Sequence, residues 1–382
     1  MRIAIVGAFP FPLPQGSQVY CAEQAGALRA AGAEVVLVVY GAGAGAAPAA
    51  ARDVPVLRVP RLLSPARLAS GPSPAKPVAD LALASVLVRA HRRRPFDAVL
   101  AHNAEAAACA LAARRWLRRP VVYVAHTLWR HELGAWSPAA VARGGAPALA
   151  RLGGRLDAAL ARRADAVIAL SRAAADALGP HARGPLAVIP PALAPAPEPT
   201  PGEVAAACAR HRLAPGRFAL YAGNLDRYQE LDLLAAAAAR LSAPVIVATH
   251  AARGLAPAPL HTVRVPDAET VRRLTFGAGV ALLPRRAPGG FPVKLLNYLE
   301  ARRAVVAWRA VAEGLVHGES AWLLDGAAGP EDWAAAIETL LAGPARAARL
   351  GAGGRAQLER AHRPEAMARA TLDLLGQLCK GR

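Results

Sequence analysis

For a chain this basic, lysine is unexpectedly scarce. Of its 46 basic residues only Lys76, Lys294 and Lys380 are lysines, and the others are arginines. With 27 acidic residues the formal net charge is +19. Aromatics make up only 5% of the chain, which argues against nucleic acid as a partner, because such binders interleave basic residues with stacking rings. Cys21, Cys109, Cys208 and Cys379 lack metal or redox spacing and read as reduced small hydrophobes of a reducing, cytoplasmic compartment. No window is both long and apolar enough for a membrane span, since Arg or Gly breaks each alanine-rich run. The apolar start, Ile3 to Val6, is too short for a signal-peptide core and reads as a buried strand. That strand is not followed by G-x-G-x-x-G, and the next ends without an acidic residue for a ribose, which disfavours a nicotinamide or flavin cofactor. No D-x-D pair is present to hold a metal, so no metal ligand is assigned.

What is present is a long, apolar, alternating chain. At 382 residues, 54% of them hydrophobic, it can bury two cores. Strand patterns at Ile3–Gly7, Val35–Tyr40, Val56–Val59, Asp97–Ala101, Val121–Ala125, Ala164–Leu170 and Ala187–Ile189 alternate with helical ones. A proline-rich linker follows (190–202, PPALAPAPEPTPG). The alternation then resumes at Phe218–Ala222, Val245–Thr249, Val263–Val265, Val280–Leu283 and Val305–Trp308, with helices from about Pro330. Polar clusters fall at the carboxyl ends of these strands, where open α/β sheets bind ligands. The pattern predicts an α/β protein of two doubly wound halves facing a cleft. The excess positive charge reads first as a solvated basic face, and second as contact with an anionic membrane.

The stretch from Ala278 to Ala307 (AGVALLPRRAPGGFPVKLLNYLEARRAVVA) reads as strand, glycine turn, helix over Phe291–Arg302, strand. Lys294 falls in the first turn of that helix. The other two lysines sit where nothing is demanded of them, whereas this one stands beside a glycine pair. Backbone N–H groups, a helix terminus and an ammonium suit a phosphate. A tight turn with one solvated lysine is the competing reading, and the stretch alone leaves both open.

Six passages in order resemble the GT-B fold and, within it, the family 4 (group 1) retaining glycosyltransferases. They are the loop Pro14 to Ser17, VVYVAHT, ADAVIALS, LAVIPPAL, LYAGNLDRYQELDLL and GGFPVKLLNYLEARRAVVA. The resemblance implies two Rossmann-like domains, an acceptor-binding one over 1–192 and a nucleotide-sugar-binding one over 193–362, with a C-terminal helix over 363–382 packing back on the first. It implies sugar transfer from a nucleotide-diphosphate sugar to a glycan or lipid-linked acceptor, with retention and without metal or other cofactor. The enzyme would be cytoplasmic, peripheral to the inner membrane face. His126 corresponds to the family's catalytic-site histidine near the donor sugar, and loop capping is the competing role. Gly223, Asn224, Asp226, Arg285, Gly289, Gly290, Phe291 and Asn297 are assigned to the donor, together with Lys294, which stands at a place the family usually fills with an apolar residue. Gly16, Ser17 and Asn103 correspond to acceptor contacts, Gly16 alternatively serving a turn with positive φ. Trp129, His131, Glu132 and Trp136 form either an acceptor wall or the packing of a long loop.

Departures from the family pattern carry as much information. The paired glutamates are replaced by Gly289 and Asn297, and the phosphate-neutralising Arg and Lys by Asn224 and Gln229. Lys294, with Arg285 or Arg286, is the candidate for the missing charge; Glu300 is not recruited in place of a glutamate. Two functional readings follow: an active transferase with relocated donor contacts, or a non-catalytic relative that partners another transferase.

Overall fold

The structure, a computed structural model, describes residues 1–13, 15–41, 43, 45, 47–64, 76–137, 141–251, 254–287 and 290–380. Contacts divide the chain into two units. The first comprises Met1–Ala194, Pro288–Phe291 and Arg363–Arg382; the second comprises Pro195–Ala287 and Pro292–His362.

The first unit runs β1 (Arg2–Gly7), α1 (Gly16–Ala30), β2 (Glu34–Val39), β3 (Val56–Arg58), α2 (Lys76–Arg93), β4 (Ala98–His102), α3 (Asn103–Ala112), α4 (Arg114–Leu117), β5 (Val121–Ala125), α5 (Trp129–Trp136), α6 (Ala146–Arg163), β6 (Ala166–Ala169), α7 (Arg172–Leu178) and β7 (Leu186–Val188). Its sheet has the order β3-β2-β1-β4-β5-β6-β7, and every pairing is parallel. Crossover helices cover both faces of such a sheet, so its central strands are mostly apolar rather than alternating. Ile3, Ile5, Val6, Leu100, Val122, Val124 and Ile168 are all fully buried. The strand order reverses between β1 and β4, where Gly7 lies in register with His102. Ser171 caps α7 as its position in ADAVIALS suggests, its hydroxyl accepting from Ala174 N–H at 3.2 Å.

The second unit runs α8 (Pro201–Arg210), β8 (Ala219–Ala222), α9 (Leu231–Ala238), β9 (Val245–Thr249), β10 (His261–Arg264), α10 (Ala268–Gly277), β11 (Val280–Leu283), α11 (Lys294–Glu300), β12 (Ala304–Trp308), β13 (Trp322–Leu324), α12 (Pro330–Ala342) and α13 (Pro344–Ala361). Its sheet, also wholly parallel, has the order β10-β9-β8-β11-β12-β13 and reverses between β8 and β11. The last helix, α14 (Pro364–Lys380), belongs to the first unit and packs on α1, where Gln24 Nε2 donates to Thr371 Oγ1 at 3.4 Å. Among the described residues no helix is long and apolar enough to cross a membrane.

Several local expectations are corrected. The linker ends at Thr200, not Gly202, because a capping box starts α8 there. Thr200 Oγ1 accepts from Glu203 N–H at 3.3 Å, and Glu203 Oε2 accepts from Thr200 N–H at 2.9 Å. The helix expected over Phe291–Arg302 is the shorter α11, and the segment Trp129–Trp136 is helical, not a loop. Asp157 makes it so, its carboxylate accepting the otherwise unpaired N–H groups of Trp129 and Arg130 at 3.1 Å each. Gly16 sits in the first turn of α1 and not in a turn of positive φ. Lys76 is not idle either. It opens α2 and pairs with Glu105 at 3.1 Å, so scarcity of lysine does not single out Lys294 alone.

Glu300, on α11, is held structurally. Arg272 donates to it through Nε at 3.1 and 3.2 Å and through Nη2 at 2.7 Å. Both side chains are mostly covered, at 17% and 9% exposure. Removing one partner leaves a largely buried charge, so Arg272→Ala is expected to lower the stability of the second unit by about 2–3 kcal/mol, somewhat less than for a fully buried pair. Urea unfolding measures this, and an unchanged midpoint would refute it.

Candidate functional site

At the strand-order reversal of the first unit, β4 ends on His102 and β5 delivers His126. The two imidazoles touch, His126 Nε2 to His102 Nδ1 at 2.9 Å, with ring centroids 4.9 Å apart and edge to face. Tyr20 of α1 stands edge-on to His126 at 5.0 Å and tilted against His102 at 5.5 Å. Its hydroxyl accepts from Gln24 Nε2 at 3.1 Å, so α14 supports the cluster through Thr371 and Gln24. Desolvation by burial pushes the His126 pKa down to about 3. It pushes His102 well below the ordinary histidine value, with His126 adding to the effect. Both rings are therefore neutral at pH 7.

Other predicted residues of this unit fall around that pair. Asn103 opens α3 with φ of 73°, and its Oδ1 is buried without a partner among the described residues. Gly16 and Ser17 form the first turn of the helix that carries Tyr20. Gly290 lies against His126: a Cβ there would come 1.8 Å from the His126 carbonyl oxygen and 3.1 Å from Thr127 Cγ2. Only glycine fits. Phe291 is buried at 6% exposure, and Gly289 lies outside the described residues.

In the second unit the reversal between β8 and β11 lies beside Gly223, Asn224, Asp226, Arg285 and Lys294. Lys294 Nζ donates to Tyr221 Oη at 2.8 Å and to Gln229 Oε1 at 3.0 Å, and stands 4.0 Å from the Tyr221 ring centroid. Gln229 Nε2 in turn donates to Asn224 Oδ1 at 3.0 Å, while Asn224 Nδ2 donates to Asp226 and to Tyr228 Oη. Gly223 has φ of 156°, a backbone angle that favours glycine, and a Cβ there would come 2.5 Å from Lys294 Nζ, so a side chain would push the lysine aside. Tyr298 Oη accepts from Ala222 N–H at 2.9 Å, which clips α11 to the end of β8. Desolvation lowers the Lys294 pKa well below the usual lysine value; neighbouring Arg285 lowers it further and Asp226 opposes them.

The two arginines after β11 divide. Arg285 is buried at 8% exposure, and its Nε donates to Ala287 O at 3.1 Å. Arg286 pairs with Glu230 at 3.2 Å, donates to Gly326 O at 2.6 Å and stacks on Trp308 at 4.0 Å. That makes Arg286 a brace and leaves Arg285 beside Lys294. Asn297 is half-buried one turn beyond Lys294 on α11. Sequence reasoning missed Tyr20, Gln24, Tyr221 and Tyr298, since a tyrosine or glutamine within an apolar run carries no local mark of its partner.

Two parallel sheets, each reversing its strand order beside a polar cluster, form two Rossmann-like halves as in the GT-B fold. The sequence model described as Glycosyltransferase Family 4 matches residues 14–196, and the one described as Glycosyl transferases group 1 matches residues 216–343. Together they span most of the chain, which belongs to the glycosyltransferases of the family 4, group 1 type. Among solved structures, sucrose-phosphate synthase from Thermosynechococcus elongatus is similar with a TM-score of 0.79 and 17% identity over 100% of both chains. HepE from Anabaena in complex with UDP-glucose gives 0.72 and 16%, over 99% of this chain and 100% of that one. WaaG, a glycosyltransferase involved in lipopolysaccharide biosynthesis, gives 0.65 and 14%, over 98% and 99%. At these identities the likeness is one of fold. A comparison with curated proteins finds no match.

Two outcomes follow from the first-unit cluster. An unfolded histidine binds its proton near pH 6.5, whereas folded His126 resists until about pH 3. Between those values the unfolded state carries more protons, so stability falls as pH is lowered through the window, by up to about 1.4 kcal/mol per unit for each such ring. Unfolding midpoints at pH 7 and pH 5 measure it, and His126→Asn should flatten the slope. Gly290→Ala should displace the segment around Gly290 from His126, detectable as faster amide exchange at Thr127; unchanged exchange would argue against the contact.

Proposed function

We propose that this protein is an active glycosyltransferase that moves a sugar from a nucleotide-diphosphate sugar to a glycan or lipid-linked acceptor, with retention and without a metal ion. The observation that carries this reading is the position of Lys294. Its ammonium nitrogen hydrogen-bonds the side chain of Gln229, one of the two places where the resemblance implies a phosphate-neutralising cation, and it does so at the carboxyl end of β8. A charge lost from one element is thus restored from another. Departure of a nucleoside diphosphate develops negative charge, which a preorganised ammonium with Arg285 beside it stabilises. The structures of HepE with UDP-glucose and with UDP support a donor of this class.

In this reading the second unit takes the donor through Gly223, Asn224, Asp226, Arg285, Lys294 and Asn297, the last offering its amide to a ribose hydroxyl. Gly290 and Phe291 contact the diphosphate, and His126 the donor sugar. Gly16, Ser17 and Asn103 face the acceptor. The protein acts in the cytoplasm, and its basic surface contacts anionic lipid where the acceptor is membrane-bound. Loss of both family glutamates favours one rival, a non-catalytic partner of another transferase.

Proton linkage and binding separate the two. Desolvation holds the free Lys294 amine less protonated than an ordinary lysine, while a diphosphate favours the ammonium. Binding is therefore expected to take up a proton, and affinity to decline as pH rises. Calorimetry with UDP, GDP and ADP in buffers of different ionisation heat reads the uptake. Lys294→Met should remove it and weaken binding roughly 10- to 100-fold. If no nucleotide binds the wild-type protein, the non-catalytic reading stands instead.

A further inference from the structure

The histidine pair of the first unit holds a second piece of information, namely where its protons are. His102 is fully buried, His126 keeps 5% of its surface, and the atoms in contact are His102 Nδ1 and His126 Nε2. His102 Nε2 is buried with no hydrogen-bond partner among the described residues. Tyr20, packed against both rings, has its hydroxyl engaged with Gln24.

Two neutral imidazoles sharing one N···N contact must place a single proton in it, because two would clash and none would set lone pair against lone pair. Only two arrangements satisfy this. In one, His102 Nδ1–H donates to His126 Nε2. His102 then leaves only a lone pair at its buried Nε2, and His126 carries its proton on Nδ1. In the other, His126 Nε2–H donates to His102 Nδ1, which strands an N–H at His102 Nε2 without an acceptor. A buried donor without a partner is the rarer and costlier defect, whereas an unused buried lone pair is better tolerated.

We infer that His102 is a positioning residue that fixes His126 as its Nδ1–H tautomer, so that His126 offers a ligand a hydrogen-bond donor and cannot serve as a general base. The lone-pair nitrogen of His126 is occupied by His102, and its remaining nitrogen bears hydrogen. Such a group recognises an oxygen acceptor, a sugar hydroxyl or a phosphoryl oxygen. It does not deprotonate an acceptor hydroxyl. That the ligand is the donor sugar rests on the function proposed above; the tautomer does not.

The test is long-range proton–nitrogen NMR of protein labelled with ¹⁵N-histidine at neutral pH, with His126 assigned by its loss in His126→Asn. The wild type should show a protonated, pyrrole-type Nδ1 and a bare Nε2 for His126. A protonated Nε2 in the wild type would overturn the inference outright, with no variant needed. His102→Asn, whose amide can still donate from the place of Nδ1, should keep the wild-type signature. His102→Asp, which when ionised can only accept, should move the proton to Nε2. The same signature in both variants would show that His102 does not set it. Nucleotide-sugar binding, read separately by calorimetry, addresses the other reading. If His126→Asn leaves that affinity unchanged while the Nδ1–H signature is present, the tautomer stands and the placement of His126 at the donor fails.

Discussion

Parallel pairing is the constraint from which this molecule follows. Two parallel neighbours can be joined only by a crossover that passes over a face of the sheet, and the hand of that crossover is nearly invariant. Both faces become covered, so the central strands are almost wholly apolar and have no polar side to offer. Chemistry is displaced to the strand ends. Where the order reverses, between β1 and β4 and again between β8 and β11, adjacent crossovers diverge to opposite faces and leave an opening at the carboxyl edge. His102 and His126 mark the first opening, and Gly223 and Lys294 the second.

The same burial governs the electrostatics of both places. A neutral histidine pair and a lysine held below its usual pKa are one effect acting on different groups: scarce water disfavours the charged form. At the histidines the result is a fixed pattern of donors and lone pairs. At Lys294 it is an amine held by Tyr221 and Gln229 whose protonated form is disfavoured. Bracing contacts surround each place. Arg286 spans Glu230, Gly326 and Trp308, Arg272 grips Glu300, and Asp157 caps α5, so these charged side chains hold neighbouring elements in position.

Legibility in the sequence followed locality. Apolar runs such as VVYVA and AVVAW announce buried parallel strands because every residue in them must be buried, and Ser171 announces a helix because its cap spans only three residues. The Thr200–Glu203 box was equally local, and the signal T-P-G-E was there to be read. Less visible was β13, a strand of three residues too short to show a period, and the helical state of Trp129–Trp136, which depends on an aspartate 28 residues beyond Trp129.

The sequence by itself determined that the chain alternates strand and helix in two halves, that polar residues gather at strand ends, and that a lysine follows a glycine turn where a glutamate pair is missing. Each of these depends on neighbours within a few positions. Only the tertiary structure decided that Lys294 meets Gln229 across 65 residues, that Tyr298 clips α11 to β8, and that His102 and His126 meet ring to ring. Those outcomes depend on which strand ends become neighbours, and a crossover brings together residues whose separation along the chain leaves no trace in either local pattern.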